Sequence, residues 1–191
     1  MLKMNVHRLN SFYFTKTLEN HNYHKNIILK HIEKIPKNKH FDITHTDWNL
    51  TKNSNKEYFN YLFNYIKEYM KEISYFLNTE KWDITNAWFQ QYYFNDTHNW
   101  HTHAYANFTN VYFLELPDKE YKTDIYDNME NRIINLDVKE GDIITFPAFY
   151  SHRSKTNLSD KRKTIISFNS NFFINDEKKI NTKLLQTVAS S

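Results

Sequence analysis

Apolar positions in the first eighty residues recur at intervals of three and four. Between residues 19 and 35 this spacing is held by Ile27, Ile28, His31, Ile32 and Ile35. A longer stripe follows, with Phe59, Leu62, Phe63, Ile66, Met70, Ile73 and Leu77 on one face of a helix predicted from Ser54 to Leu77. Ser54 with Glu57 three positions on fits a capping box. A stripe of this kind packs a helix against a sheet. Beyond Trp82 the period shortens. The runs ITNAWFQQYYF, FTNVYFLEL, IITFPAFY and TIISFNSNFFI are rich in β-branched and aromatic residues, and the turn-formers NDTHN, LPDKE, KEGD and NLSDK separate them. Short strands at such spacing predict a sandwich or jelly roll. The expected fold is therefore α+β, in one domain over 1–191: helical support over 1–81, a β core over 82–175, and a tail over 176–191 that starts as a short helix at EKKINTKLLQ.

Composition narrows the chemistry. The 191 residues suit one domain, and 17% aromatic content supplies a substantial core. With 25 basic against 22 acidic side chains the net charge is only +3, too small an excess to favour nucleic acid as a partner. No apolar run approaches the roughly 18–20 residues of a membrane span. The first ten residues lack the apolar stretch of a signal peptide, so a cytoplasmic location is expected. Cysteine is absent, which excludes disulfides and thiolate ligands. Any metal must bind through His, Asp or Glu.

Residues 98–103 read HNWHTH. Side chains two apart in a strand share a face, so His101 and His103 can converge on one ion, and neutral imidazole is the commonest metal ligand. Two exposed histidines beside a turn would look the same. His98, at odd spacing within NDTHN, is set aside as a turn residue. The only glycine, Gly141, marks a positive-φ hairpin turn at KEGD. The strand that follows ends near His152, which brings a third imidazole from far along the chain. Ten positions later Arg162 opens another strand, alternating with Thr164 and Ile166. Turned inward, its guanidinium fork and the threonine hydroxyl suit a carboxylate, although SDKRK also reads as an ordinary charged turn.

Over residues 82–173 the motifs WFQQYYFNDTHNWHTH, NFTNVYFLELP, GDIITFPAFYSH and KRKTIISFN resemble those of the Fe(II)/2-oxoglutarate-dependent oxygenases, in particular the compact prolyl-hydroxylase-like branch of bacteria and phages. The resemblance implies a double-stranded β-helix core and a hydroxylase that uses Fe(II), 2-oxoglutarate and O2 on an unidentified substrate. It implies His101, His103 and His152 as metal ligands, with Arg162 and Thr164 at the far carboxylate of the cosubstrate. Tyr92, nine residues before His101, takes the place of a carboxylate-holding tyrosine, with Tyr93 turned to the core. Tyr112 and Asn110 are expected beside them around the cosubstrate, and Trp100 and Tyr105 in the cavity wall. One position departs from the pattern: His103 stands where the family has Asp or Glu. Either three histidines bind the metal, or Asp96, Glu115 or a water completes the set. Two rivals remain, a cupin-like three-His metalloprotein that does not use 2-oxoglutarate and a non-catalytic β-helix module. Arg162 discriminates, since a cupin has no need of it.

Overall fold

The computed structural model describes residues 11–50 and 56–174. Its elements in chain order are β1 (Phe14–Thr17), α1 (His21–Ile32), β2 (His45–Thr46), α2 (Glu57–Phe76), β3 (Thr79–Tyr92), β4 (His98–His101) and β5 (Phe108–Glu115), followed by a 3₁₀ turn (Lys119–Tyr121), β6 (Thr123–Asp127), β7 (Arg132–Ile134), β8 (Asp142–Pro147), β9 (His152–Ser154) and β10 (Lys163–Ile174). A six-stranded sheet runs β1-β8-β5-β10-β3-β2 and a four-stranded sheet runs β4-β9-β6-β7. Every pairing is antiparallel. This is the α+β jelly-roll arrangement of a double-stranded β-helix with helices laid on one face.

The large sheet is buried on both sides, which explains why its strands read as near-continuous apolar runs. On the helical side α2 presses Leu62, Ile66, Met70 and Ile73 against Phe89, Tyr112, Ile143, Ile166 and Phe168. Between the sheets lies a second core of Tyr92, Val111, Phe113, Ile125, Ile144, Phe146 and Ile165. Odd and even positions of each strand therefore serve different layers. On β10, Ile166 and Phe168 meet the helices, while Ile165 and Ser167 look into the space between the sheets.

The four predicted apolar runs become β3, β5, β8 and β10, which lie side by side in the large sheet. Three details differ from the sequence reading. The supposedly helical first part also supplies β1 and β2, which cap the two edges of that sheet. The small sheet comes mostly from passages in which no strand was read, because strands of three to five residues leave too little alternation to detect. The run 143–150 stops at Pro147, and the chain turns there with Tyr150 N donating to Pro147 O at 3.1 Å. Ser54 and the segment 177–186 lie outside the described residues. The helix instead begins at Glu57, which pairs with His31 of α1 at 2.9 Å.

Gly141 has φ +92°, and a Cβ there would meet the ring of His21 at 3.0 Å. Its N–H donates to Phe113 O at 2.9 Å and its carbonyl accepts from Leu18 N at 3.0 Å, so the turn joins the strand β5 to the N-terminal segment. Gly141→Ala should cost about 1–3 kcal/mol in urea unfolding, because the left-handed backbone and the close ring both oppose a side chain.

Candidate metal centre

The small sheet positions three histidines. His101 ends β4 and lies opposite His152, the first residue of β9. His103 follows in a turn pinned by its own N–H to Ala148 O at 3.1 Å. Ring centroids are 4.2 Å apart for His101 and His152, 4.9 Å for His103 and His152, and 5.2 Å for His101 and His103. One ring nitrogen from each lies within 4.8 Å of the other two. Three nitrogens so grouped could hold a single ion, whose usual distance to a histidine nitrogen is about 2.0–2.1 Å.

Hydrogen bonds set the tautomers. His101 Nδ1 faces Asn99 O at 2.7 Å, His152 Nδ1 faces Tyr150 O at 3.0 Å, and His103 Nδ1 faces Asn169 Oδ1 at 2.6 Å with the Thr109 hydroxyl at 3.0 Å. A carbonyl oxygen can only accept, so each Nδ1 carries the proton and each Nε2 keeps its lone pair. This is the orientation metal-binding histidines need. Burial opposes the imidazolium at every position. It brings His103 down to about 4 and lowers His101 and, further, His152, with the neighbouring histidines adding to the effect at His103 and His152. At neutral pH all three are neutral donors. Phe146 and Trp88 pack edge-on or tilted against His152 and His103 and wall the group with apolar surface.

His98 differs from its reading as a turn residue. A bulge in β4, between the pairs His98–Ser154 and His101–His152, restores both histidines to one face despite their three-residue spacing. The His98 ring lies 4.0 Å from that of His101, and Gln90 Nε2 reaches its Nδ1 at 3.2 Å.

The carboxylates considered for the third ligand are committed elsewhere. Asp96 Oδ2 accepts from the backbone of Thr44 and Tyr93, both at 2.9 Å. Glu115 takes Arg162 in a fork, Nε to Oε2 at 2.7 Å and Nη2 to Oε1 at 2.9 Å, and the Thr164 hydroxyl bonds the same carboxylate. Arg162 and Thr164 do share a side, as expected, but it is the side away from the histidines. A register shift that sets Thr164 opposite Glu115 and Ile165 opposite Phe113 brings the acid to them. Tyr112 and Asn110 also belong to the helical side. The Tyr112 hydroxyl meets His21 Nδ1 at 2.7 Å, and Asn110 Nδ2 donates to Phe168 O and Ser170 Oγ at 3.0 and 2.9 Å. Trp100 turns outward against Arg153, whose guanidinium carbon lies 4.6 Å from its ring centre. Tyr105 stands on the rim of the outer cavity.

Lys163 lies on the face of β10 turned toward the small sheet, opposite Tyr92, while Arg153, paired with Asp124, lines the inner cavity itself. Lys163 is fully buried, its Nζ donates to Ser154 Oγ at 2.6 Å, and it lies 5.0 Å from the centre of the Tyr92 ring. Burial pulls its ammonium down to about 7, with Asp124 partly opposing. Tyr92, also fully buried, makes no well-formed hydrogen bond through its hydroxyl, with Ser154 as its polar neighbour. A buried cation beside an unsatisfied phenol is costly, and an anion placed between them offsets that cost. The residue was within reach of sequence reasoning: Lys163 pairs directly with Tyr92, and directly opposed residues share a face.

Two cavities meet at the histidines. A narrow inner one, about 20 Å³, is lined by Tyr92, Ser154, Thr123 and the three imidazoles. A wide outer one, about 600 Å³, opens to solvent past Trp88 and Tyr105. Gln90 and His98 line both.

No family model and no curated protein sequence matches the chain. Solved structures do. The viral collagen prolyl hydroxylase of Paramecium bursaria Chlorella virus-1 superposes with a TM-score of 0.61 at 11% identity, covering 92% of this chain and 99% of its own. A prolyl-4-hydroxylase from Pseudomonas putida gives 0.59 at 9% identity, with 86% and 94% covered. HygX from Streptomyces hygroscopicus, solved with nickel and 2-oxoglutarate bound, gives 0.62 at 9% identity, with 84% and 82% covered. Identities this low speak for architecture alone, and the chain has the double-stranded β-helix fold of these prolyl-hydroxylase-like enzymes.

Proposed function

We propose that the protein is a metal-dependent 2-oxoglutarate oxygenase, with iron as the working metal and hydroxylation as the reaction. This reading rests on three clustered imidazoles, each offering a ring nitrogen within 4.8 Å of the others and each with its Nδ1 on an oxygen acceptor, which leaves Nε2 free for a metal. Iron held by His101, His103 and His152 would supply oxidative decarboxylation of 2-oxoglutarate by O2, giving succinate and CO2 and placing the second oxygen atom in a substrate C–H bond. The chain's own residues bind, orient and keep water out. Lys163 would hold the far carboxylate of the cosubstrate as a charge-assisted donor, and Tyr92 and Ser154 would add hydroxyl donors beside it. Three neutral imidazoles leave the metal charge uncompensated, and with Lys163 they make the inner cavity favourable to a dianion. A five-carbon diacid exceeds the present inner volume, so Gln90 and His98, which stand between the cavities, would swing aside to admit it.

A three-His metalloprotein that does not use 2-oxoglutarate is the competing reading, and Lys163 weighs against it. A buried ammonium beside Tyr92 and Ser154, two residues that line the inner cavity, suits an anion bound there. No helix among the described residues is long and apolar enough to cross a membrane, and a cytoplasmic place belongs to the same proposal. Anaerobic addition of ferrous iron and then 2-oxoglutarate should produce a weak visible charge-transfer band. Tight zinc or copper binding with no such band would favour the rival.

A further inference from the structure

The outer cavity differs in character from the inner one. None of its described lining residues is Asp, Glu, Lys or Arg. Its walls are aromatic: Trp88 is buried, Trp48 packs edge-on to it at 4.3 Å, and Phe41 and Tyr105 stand on the rim. Neutral amides line it too, buried on Gln90 and Asn169 and half-buried on Asn86. At about 600 Å³ the space suits a small organic molecule.

The two rim aromatics are unusual in their backbone as well as their exposure. Phe41 has φ 50° and Tyr105 φ 60°, a region that disfavours bulky side chains, and they are 76% and 97% exposed. Neither loop is slack. His40 and Ile43 exchange backbone hydrogen bonds at 3.1 Å around Phe41, and Thr97 N donates to Asp42 O at 3.1 Å. Around Tyr105, His103 N donates to Ala148 O at 3.1 Å and Ala148 N to Asn107 O at 2.9 Å. Backbone strain held in place by anchored flanks, under a bare aromatic ring at a cavity mouth, is a feature of binding sites and not of packing.

We infer that this cavity binds an uncharged aromatic or heteroaromatic ring, stacked on Trp88 and clasped at the rim by Phe41 and Tyr105, with the buried amides reading its polar edge. In the metal-free protein a charged group would lose hydration here and find no counter-charge among the lining side chains, whereas a flat neutral ring meets π faces on several sides. The assignment of that ring to the substrate rests on the oxygenase reading. Binding of the ring does not.

The test uses metal-free protein and calorimetry with three probes of one shape: indole-3-acetamide (neutral), indole-3-acetate (anion) and tryptamine (cation). The neutral amide should bind at least about tenfold tighter than either charged analogue. Phe41→Gly and Tyr105→Gly should each weaken it by about threefold to tenfold. The same two changes should leave the thermal midpoint unchanged or raise it, since glycine relieves the positive φ. Equal affinity for the charged probes, no binding of the amide, or variants that bind as the wild type does would overturn the inference. So would a fall in midpoint with affinity intact, which would make the rim aromatics structural. Failure of the iron and 2-oxoglutarate experiment with ring binding preserved would instead remove the oxygenase reading alone.

Discussion

His152→Ala is expected to lower ferrous iron affinity by more than about 100-fold, measured anaerobically against a competing chelator. Residues one bond removed from a metal already change affinity by about 10–100-fold, and loss of a ligand exceeds that. His152 is buried, its Nδ1–H is fixed on Tyr150 O, and its ring is seated against Phe146, so it is held in place for an ion before one arrives. Asn169→Ala supplies the graded comparison. Its Oδ1 holds His103 Nδ1–H at 2.6 Å, so its loss should cost only the smaller 10–100-fold. Unchanged affinity in His152→Ala would remove it from the ligand set.

Lys163→Met is expected to move stability and cosubstrate binding in opposite directions. In the free protein the change removes a buried ammonium and should stabilise the fold. With its folded value near 7 and an unfolded value of 10.5, the unfolded chain binds more protons between those limits. Wild-type stability therefore rises with pH from about 7 to 10.5, the penalty being full below 7, and the methionine variant should lose that slope. Binding of 2-oxoglutarate should weaken by about tenfold to a hundredfold, the worth of a charge-assisted pair. In the wild type that affinity should fall as pH rises above about 7, because only the ammonium form attracts the diacid. Arg162→Ala should act the other way. Its guanidinium is bound to Glu115 away from the cavity, so cosubstrate affinity should hold while stability drops. If Lys163→Met destabilises the fold and spares cosubstrate binding, the lysine is structural.

Long-period features of this fold were legible in the amino-acid sequence and short or irregular ones were not. The α2 stripe and the four long strands carry enough repeats to establish their period, and they build the large sheet and the helical layer. The strands β6, β7 and β9 have too few residues for a pattern, so the second sheet was expected only from the jelly-roll reading and not seen strand by strand. Parity was lost in two places. The bulge in β4 returned His98 to the face of His101, contrary to a count of alternation. Between His152 and β10 the chain crosses the irregular segment 155–162, over which faces cannot be counted, and the inward cation proved to be Lys163 and not Arg162. Tyr92 lies in the core between the sheets, and its cross-strand pairing with Lys163 sets the two on one face. Of the aromatic rim, Tyr105 was expected in the cavity wall from the family resemblance, whereas Phe41 lies in a loop where spacing carries no information.

We propose that three imidazoles and one buried lysine form a single site for a metal and a dicarboxylate. A crystal structure of the protein grown anaerobically with ferrous iron and 2-oxoglutarate tests it most directly. The account predicts one ion on the Nε2 atoms of His101, His103 and His152, with the far carboxylate hydrogen-bonded to Lys163 Nζ and the Tyr92 hydroxyl. An ion held elsewhere, or a carboxylate bound at Arg162 with Lys163 still on Ser154, would contradict it.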